Sequence, residues 1–367
     1  MSRSTDTRNP AFAIMLICEG RKTEPNFFYC LCEDLRKQGV LGCTFKVLPK
    51  SSFEKEDEET NADRGDRRRK TREVLEGKPM KEDENVQFSG EQPLNWVKGG
   101  LDYLSTYNEV WCIFDKDGHP KQKEAFELVE KSQSEDKNIN IAFSSRCIEY
   151  YFLLHFEYIY KAFSKSECNE KQYRGRESKT VYFNCMTEQA IPGKACDGSQ
   201  CINGYARKQG YWKESKSDMS LYPILKERLL YGIKNAIRVN EKSFVNDSIS
   251  VVYERNPFVT AHNLTARLLG YKICETNPLI VKIGGTEIEV FVDHSSLILK
   301  NKGDRSYIVK GGSITRCNTL NNGCVSCNEN AILLEPAEIK SVSIENIEEN
   351  DLILLDFDKD KYILSLC

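Results

Sequence analysis

The chain has 367 residues with a formal net charge of −3, and 40% of its residues are hydrophobic. This length allows two or three domains with a sizeable core, and the near-neutral charge excludes a protein that coats nucleic acid in bulk. No segment approaches the roughly 18 uninterrupted apolar residues of a membrane helix, so we expect no membrane partner. The polar start at Ser2–Pro10 argues against a signal peptide.

Two apolar segments end in acidic residues, and they carry the strongest functional signal in the sequence. Residues 11–18 precede Glu19, and residues 109–114 precede Asp115 and Asp117. Apolar runs of this length predict buried parallel strands, and in an open α/β sheet functional groups collect beyond the carboxyl ends of the strands. The three carboxylates would repel one another without a cation between them. This indicates a Mg²⁺ site, or Mn²⁺ in its place, for chemistry on a phosphodiester.

Strands alternate with helices through residues 1–160, which predicts a first α/β domain with a parallel sheet flanked by helices. A charged stretch over 51–93 interrupts the pattern and is expected to be a mobile insertion, because it cannot bury much apolar surface. Its basic cluster over 64–72 fits either an RNA contact or a solvated loop. The predicted elements are strands over 11–18, 43–48, 109–114 and 139–144, and helices over 24–36, 95–107, 120–132 and 147–156.

The rest of the chain is predicted to form two further domains. A helical extension covers 161–274, with helices at Leu221–Val239 and Thr260–Leu269 and a cysteine-containing insertion over 168–210. Residues 275–367 are expected to form a small β-rich domain, because short apolar runs alternate there with Gly, Asn and Asp. The predicted strands are 279–283, 287–292, 296–299, 307–309, 331–334 and 352–357.

The chain contains fifteen cysteines, and their positions bear on its redox environment. Cys18 and Cys112 lie inside predicted buried strands, which favours free thiols and a reducing cytoplasm. Two other groups have partial zinc-site spacing, so structural zinc and free thiols in loops both stay open for them. The two groups are Cys168, Cys185, Cys196 and Cys201, and Cys317, Cys324 and Cys327.

Four segments, in the same order along the chain, resemble motifs of the RloB-like family, a branch of the Toprim superfamily. In the third segment Ser145 and Arg146 replace the Asn-Pro pair that the family usually has. The resemblance covers about residues 11–160 and 210–270. The four segments are 16–28, 114–120, 144–157 and 256–264.

This resemblance implies a Toprim fold, in which Glu19 is a general base or acid beside the metal and Asp115 and Asp117 hold Mg²⁺. It implies a nuclease that is the toxic effector of a bacterial anti-phage defence system, beside an ABC-type or AAA ATPase. Related ATPase–Toprim pairs cut host tRNA. By this analogy RNA, and tRNA in particular, is the expected substrate.

Further residues complete the predicted site. Gly20, Arg21 and Lys22 follow the first strand and are candidates for binding phosphate. His119 can move a proton or touch phosphate, and it can equally cap the next helix. Glu149 lies on a mostly apolar helix and needs a partner if it is buried, so it is either a site residue or part of a structural ion pair.

Two residues near these motifs are given structural roles instead. Glu24 stands at the start of a predicted helix, where a carboxylate interacts favourably with the helix dipole. His155 lies in a run of Phe and Leu, which is typical of a satisfied histidine in the core.

Two other functions stay open. An apolar strand that ends in Asp-x-Asp also describes the nucleophile of haloacid-dehalogenase-like phosphatases and phosphotransferases. Those enzymes usually have Thr or Val where this chain has His119, and they give Glu19 no role. The chain can also be a non-catalytic module that regulates a defence ATPase through its acidic site. We prefer the metal-dependent nuclease because it accounts for all three carboxylates.

Overall fold

The chain forms two compact units, and the boundary between them falls after Phe143. The first unit contains residues 1–143 and 216–219, and the second contains 144–215 and 220–367. The three-domain division expected from the sequence stays a prediction. The computed structural model describes residues 12–51, 53, 92–116, 120–166, 169–174, 177–182, 201–212, 221–246, 248–249, 251–274, 278–283, 286–293, 296–320, 323–344, 351–357 and 360–365.

A four-stranded sheet forms the centre of the first unit, with the strand order β2-β1-β3-β4. Strand β1 is parallel to both β2 and β3. All seven residues of β3 are buried, which explains why the strand has a continuous apolar sequence instead of an alternating one. The strands are β1 (Ala13–Cys18), β2 (Thr44–Leu48), β3 (Glu109–Asp115) and β4 (Ile139–Ser144).

Helices cover this sheet and bury their apolar stripes against it. Helix α1 packs against β2, and helix α2 packs against β3 and β1. Gly100 on α2 lets that helix approach closely, because a methyl group there would lie 3.1 Å from side chains of Val110 and Ile139. The helices are α1 (Thr23–Lys37), α2 (Pro93–Tyr103) and α3 (Gln122–Ser134). The predicted α/β class with a parallel sheet is therefore confirmed.

The second unit begins with helices and continues into antiparallel strands. The helix predicted over 221–239 is two helices, since the backbone turns at residues 227–228. The second of them continues to Asn246. Its Asn240 side chain accepts a hydrogen bond from Val259 N (3.0 Å) and donates one to Val259 O (2.6 Å). The elements are α4 (Ile148–Leu154), β5 (Asn169–Arg174), β6 (Glu177–Tyr182), α5 (Ile202–Lys208), α6 (Tyr222–Lys226), α7 (Leu229–Asn246), a 3₁₀ turn (Val252–Glu254) and α8 (Ala261–Leu268).

The carboxyl-terminal third is β-rich, as predicted. One sheet has the order β15-β10-β9-β8 and another the order β13-β12-β16-β17-β7, and their inner faces share one apolar core. Strands β7, β12, β13, β15 and β17 were not predicted, and β13 has no buried residue that would mark it in the sequence. The strands are β7 (Tyr271–Ile273), β8 (Leu279–Ile283), β9 (Thr286–Asp293), β10 (Ser296–Asn301), β11 (Tyr307–Val309), β12 (Ile314–Asn318), β13 (Gly323–Ser326), β14 (Ile332–Leu334), β15 (Ile339–Ser343), β16 (Asp351–Phe357) and β17 (Asp360–Ser365).

The helical and β-rich parts of the second unit share a second apolar cluster. Ile233 and Ile237 of α7 pack there with Leu352 of β16 and Ile363 of β17. Lys234 is fully buried beside them, and its Nζ donates a hydrogen bond to the backbone oxygen of Asp351 (2.6 Å). A buried ammonium group needs such partners, because an unpaired one would cost several kcal/mol. No helix among the described residues has the length and apolar character needed to cross a membrane.

The cysteines only partly follow the prediction. Cys18 and Cys112 are buried free thiols, as expected. Cys317 and Cys324 face each other across β12 and β13 and form a disulfide, so both structural zinc and free thiols are wrong for this pair. Cys201 is a buried free cysteine. The remaining members of its predicted zinc group, Cys168, Cys185 and Cys196, lie outside the described residues.

His155 is a core residue, as the sequence indicates. Its ring is fully buried, its Nδ1 lies 2.9 Å from Tyr151 O, and the two aromatic rings meet edge to face. Gly232 of α7 supports the ring, because a methyl group on this glycine would lie 2.6 Å from His155 Cε1.

We expect the substitution Gly232→Ala to destabilise the protein by about 1–3 kcal/mol, because the new methyl group overlaps the His155 ring. The higher helix propensity of alanine offsets about 1 kcal/mol of this cost. Chemical denaturation measures the difference. Gly42→Ala is the control, since no atom lies within 4 Å of that position, and equal stability of the two variants would contradict the packing.

The buried histidines also predict a pH dependence. Desolvation lowers the pKa of His155 to about 4 and that of His262 to about 3, from an ordinary value of 6.5. The unfolded chain therefore binds more protons than the folded chain below pH 6.5, and stability falls as the pH drops from there. Each histidine should cost about 2 kcal/mol at pH 5 relative to pH 7.5. The free energy of unfolding, measured at both pH values, should show a smaller difference in His262→Gln than in the unmodified protein.

Candidate metal site at the carboxyl edge of the sheet

The carboxyl ends of β1 and β3 bring two of the predicted acids together. Cys18 is paired with Ile113, and the next residue, Glu19, donates its backbone N–H to Ile113 O (2.8 Å). Asp115 is the last residue of β3 and lies at the same edge. The parallel pairing alone therefore places Glu19 beside Asp115.

A side-chain hydrogen bond joins these two positions. The backbone N–H of Asp115 donates to Glu19 Oε2 at 2.8 Å. A carboxylate that accepts a backbone N–H is held in a defined position, and such charge-assisted bonds are about twice as strong as neutral ones. Asp115 is fixed from its other side too, because Gln122 Nε2 donates to its backbone oxygen (3.0 Å). Gln122, the first residue of α3, was not singled out in the sequence, because it belongs to no recognisable motif.

Glu24 also lies at this edge, and Gly20 makes room for it. Glu24 is only 5% exposed, and a methyl group on Gly20 would lie 2.1 Å from Glu24 Oε2. The predicted role of Gly20 was phosphate binding, and that role stays a prediction. Its observed role is to leave space for a buried carboxylate. The spacing of Gly20 and Glu24 in the sequence does not predict this contact, because it depends on the turn between the two residues.

The buried thiols below the site are not nucleophiles. Burial, followed by the neighbouring Glu24 carboxylate, raises the pKa of Cys18 well above its ordinary value. Burial does the same to the pKa of Cys112. Both thiols therefore stay protonated at neutral pH and are unreactive.

The two cations after Glu19 lie before the first turn of α1. Arg21 and Lys22 are exposed, and Lys22 is the residue immediately before the helix. Helix N-termini attract anions through their backbone N–H groups, and a phosphate there would also meet these two side chains. Their predicted role in phosphate binding is consistent with this position and stays a prediction.

The described structure does not test the remaining predicted site residues. Asp117 and His119 lie outside the described residues. Glu149 is 2% exposed in the first turn of α4, and it belongs to the second unit. Its participation in the site stays a prediction.

The donor set of Glu19 and Asp115 fits a hard divalent cation. Mg²⁺ is usually bound in proteins by one or two carboxylates, with water and substrate phosphate as its other ligands. Among the described residues, no group of three or more His, Cys, Asp or Glu side chains is placed to hold a metal ion. The cation and its ligands Glu19, Asp115 and Asp117 therefore stay a prediction.

A separate groove of about 430 Å³ runs along the edge strand β2 of the first unit. It contains none of the predicted site residues. The rings of Tyr29 and Phe45 meet edge to face on its wall, with centroids 6.0 Å apart. It is not part of the acidic site.

We expect Gly20→Ala to destabilise the first unit by about 1–3 kcal/mol, because the methyl group displaces the buried Glu24 carboxylate. The same change made in a Glu24→Ala background should cost less than about 0.5 kcal/mol, since the colliding group is gone. Denaturation of the two single variants and the double variant gives the coupling energy. A coupling near zero would mean that Glu24 does not occupy the space beside Gly20.

The comparisons with known proteins agree with the four motifs. The profile described as RloB-like protein matches residues 14–268, which is more than half of the 367 residues. This range includes the sheet of the first unit, with Glu19 and Asp115, and the helices of the second unit through α8. A search among curated proteins finds no match. On the strength of the profile, the chain belongs to the RloB-like protein family.

Proposed function

We propose that this RloB-like protein is a Mg²⁺-dependent nuclease of the Toprim type that cuts RNA. The observation that carries the proposal is the hydrogen bond from Asp115 N to Glu19 Oε2, because it holds the Glu19 carboxylate against the backbone of Asp115 at the carboxyl edge of a parallel sheet, where functional groups collect.

The residues have separate tasks in this reaction. Hydrolysis forms a bond between a water oxygen and phosphorus and breaks one P–O ester bond. Glu19 would take the proton from the attacking water, and the leaving oxygen gains a proton, for which His119 is the predicted donor. Arg21 and Lys22 would bind the non-bridging phosphate oxygens. A divalent ion held by Asp115, Glu19 and Asp117 would supply charge stabilisation for the phosphate.

The biological setting is proposed from the family resemblance. We propose that the nuclease is the toxic effector of an anti-phage defence system in the cytoplasm and that an ABC-type or AAA ATPase controls it. tRNA is the proposed RNA. An ATPase gene adjacent to the gene for this chain would support this setting.

We expect Asp115→Asn to reduce RNA cleavage on the order of 1,000-fold, because the variant loses a charged metal ligand. Glu19→Gln should reduce it on the order of 100-fold or more, since amides cannot accept the water proton. Sequencing of RNA ends after induction, and cleavage assays with EDTA followed by Mg²⁺ or Mn²⁺, measure the effect. Asp102→Asn is the matched control, because Asp102 is exposed on α2.

Each other outcome points to a different function. Full cleavage by both variants would contradict the nuclease site. Toxicity that persists in both variants without cleavage would favour the regulatory module. An acid-labile phosphate trapped on Asp115 would favour a haloacid-dehalogenase-like phosphotransferase.

A further inference from the structure

A row of aromatic rings and cations lies on the surface of the second unit. Three alternate residues of the segment after α4 each carry a ring, and a cation from the α7 region lies over each one. Arg228 Cζ is 5.6 Å from the Phe156 ring centroid, Arg238 Cζ is 4.0 Å from that of Tyr158, and Lys242 Nζ is 5.1 Å from that of Tyr160. We call these six residues the aromatic–cation row.

The helix explains part of this arrangement. Residues four apart on a helix lie on one face, so Arg238 and Lys242 of α7 lie on the same side and face the rings of Tyr158 and Tyr160. Tyr150 fixes the segment, because its hydroxyl donates to Ile159 O at 2.7 Å.

More aromatic surface continues the row. The rings of Phe156 and Tyr211 are stacked, with centroids 4.6 Å apart and an angle of 16°. Lys161 lies 4.9 Å from the Phe163 ring and 5.6 Å from the Tyr205 ring. Phe156, Tyr158, Tyr160, Tyr205 and Tyr211 are all partly exposed.

The charge of the row is positive. Arg228 and Lys242 are exposed, and within the described part of the chain neither forms an ion pair with a carboxylate. The Glu157 carboxylate forms a hydrogen bond with Tyr205. Burial, followed by this hydrogen bond, raises the pKa of Tyr205 to about 12. Glu241 precedes Lys242 on α7 and points about 100° away from it.

We propose that the aromatic–cation row binds single-stranded nucleic acid. Unpaired bases stack on aromatic side chains and on guanidinium planes, while neighbouring cations contact the phosphates. The bases of a duplex are stacked inside it, so a duplex would contact the cations but not the rings. An acidic peptide would likewise contact only the cations. Because binding here needs no metal ion, the proposal goes beyond the nuclease activity and is independent of it.

The alternative is that these pairs only hold the 156–160 segment on α7. Both interpretations predict some loss of stability when a ring is removed, so stability cannot decide between them. Only the binding interpretation predicts that such variants lose affinity for nucleic acid and that the salt dependence of binding changes when a cation is removed.

The test measures binding of the full chain to a labelled single-stranded RNA of about 16 nucleotides by fluorescence anisotropy, in EDTA to prevent cleavage. We expect the double variant Arg228→Gln, Lys242→Gln to bind at least 10-fold more weakly. Its slope of log K against log salt should fall by about 1.4, because each lost phosphate contact removes about 0.7. Arg228→Lys should retain binding.

Two controls separate charge and stacking from general effects. The double variant Lys272→Gln, Lys340→Gln removes two cations of the same unit that are paired with Asp360 and Glu338, and it should bind normally. Tyr158→Leu should weaken binding about 10-fold with an unchanged salt slope, because it removes a stacking surface and no charge. Melting temperatures confirm that each variant is folded.

The proposal is overturned if the row variants bind the RNA as the unmodified chain does, if duplex binds as tightly as single strands, or if the row captures only an acidic protein. Single-stranded DNA tests whether the 2′-hydroxyl contributes. If the unmodified chain binds the RNA at the row but does not cleave it when Mg²⁺ is supplied, the nuclease proposal fails and this inference stands. If the chain cleaves RNA but the row variants bind it as tightly as the unmodified chain does, the nuclease proposal stands and this inference fails.

Discussion

The parallel pairing of β1 with β3 is the constraint on which the candidate site depends. Ile14–Cys18 and Val110–Phe114 are almost completely buried, so their apolar side chains fix the register between the strands. This register places Glu19 one position short of Asp115, and the Glu19 side chain spans that distance to reach Asp115 N (2.8 Å). A slip of one residue would turn the side chains of one strand to the other face and would break this contact.

The buried residues next to the acidic groups at this edge carry no charge. Cys18 and Cys112 stay protonated, and Gly20 has no side chain that would compete with Glu24 for space. An arrangement of this kind suits a cation and a phosphate, which bring charge of both signs to the same place.

Helix α7 organises the second unit in a similar way, through polar residues on its buried face. Lys234 donates to Asp351 O, Asn235 Nδ2 donates to Leu154 O (2.7 Å), and Asn240 holds both backbone groups of Val259. Each of these bonds joins α7 to a different segment. Because its inner face is fixed so firmly, the helix can present Arg238 and Lys242 to the aromatic segment at defined positions.

Local patterns were enough to predict the strands of the first unit and the position of Glu19 and Asp115, because a buried parallel strand is apolar along its whole length. They were not enough for the exposed strand β13, the Cys317–Cys324 disulfide or the Gly20–Glu24 contact. Those features arise from partners that the chain brings together only on folding: β13 is defined by backbone hydrogen bonds to β12, and the disulfide by the register of that pair. The sequence by itself determined which segments are buried and where the acids follow them. Tertiary structure decided which groups touch, because side-chain contacts depend on register and turn geometry that hydrophobic periodicity does not encode.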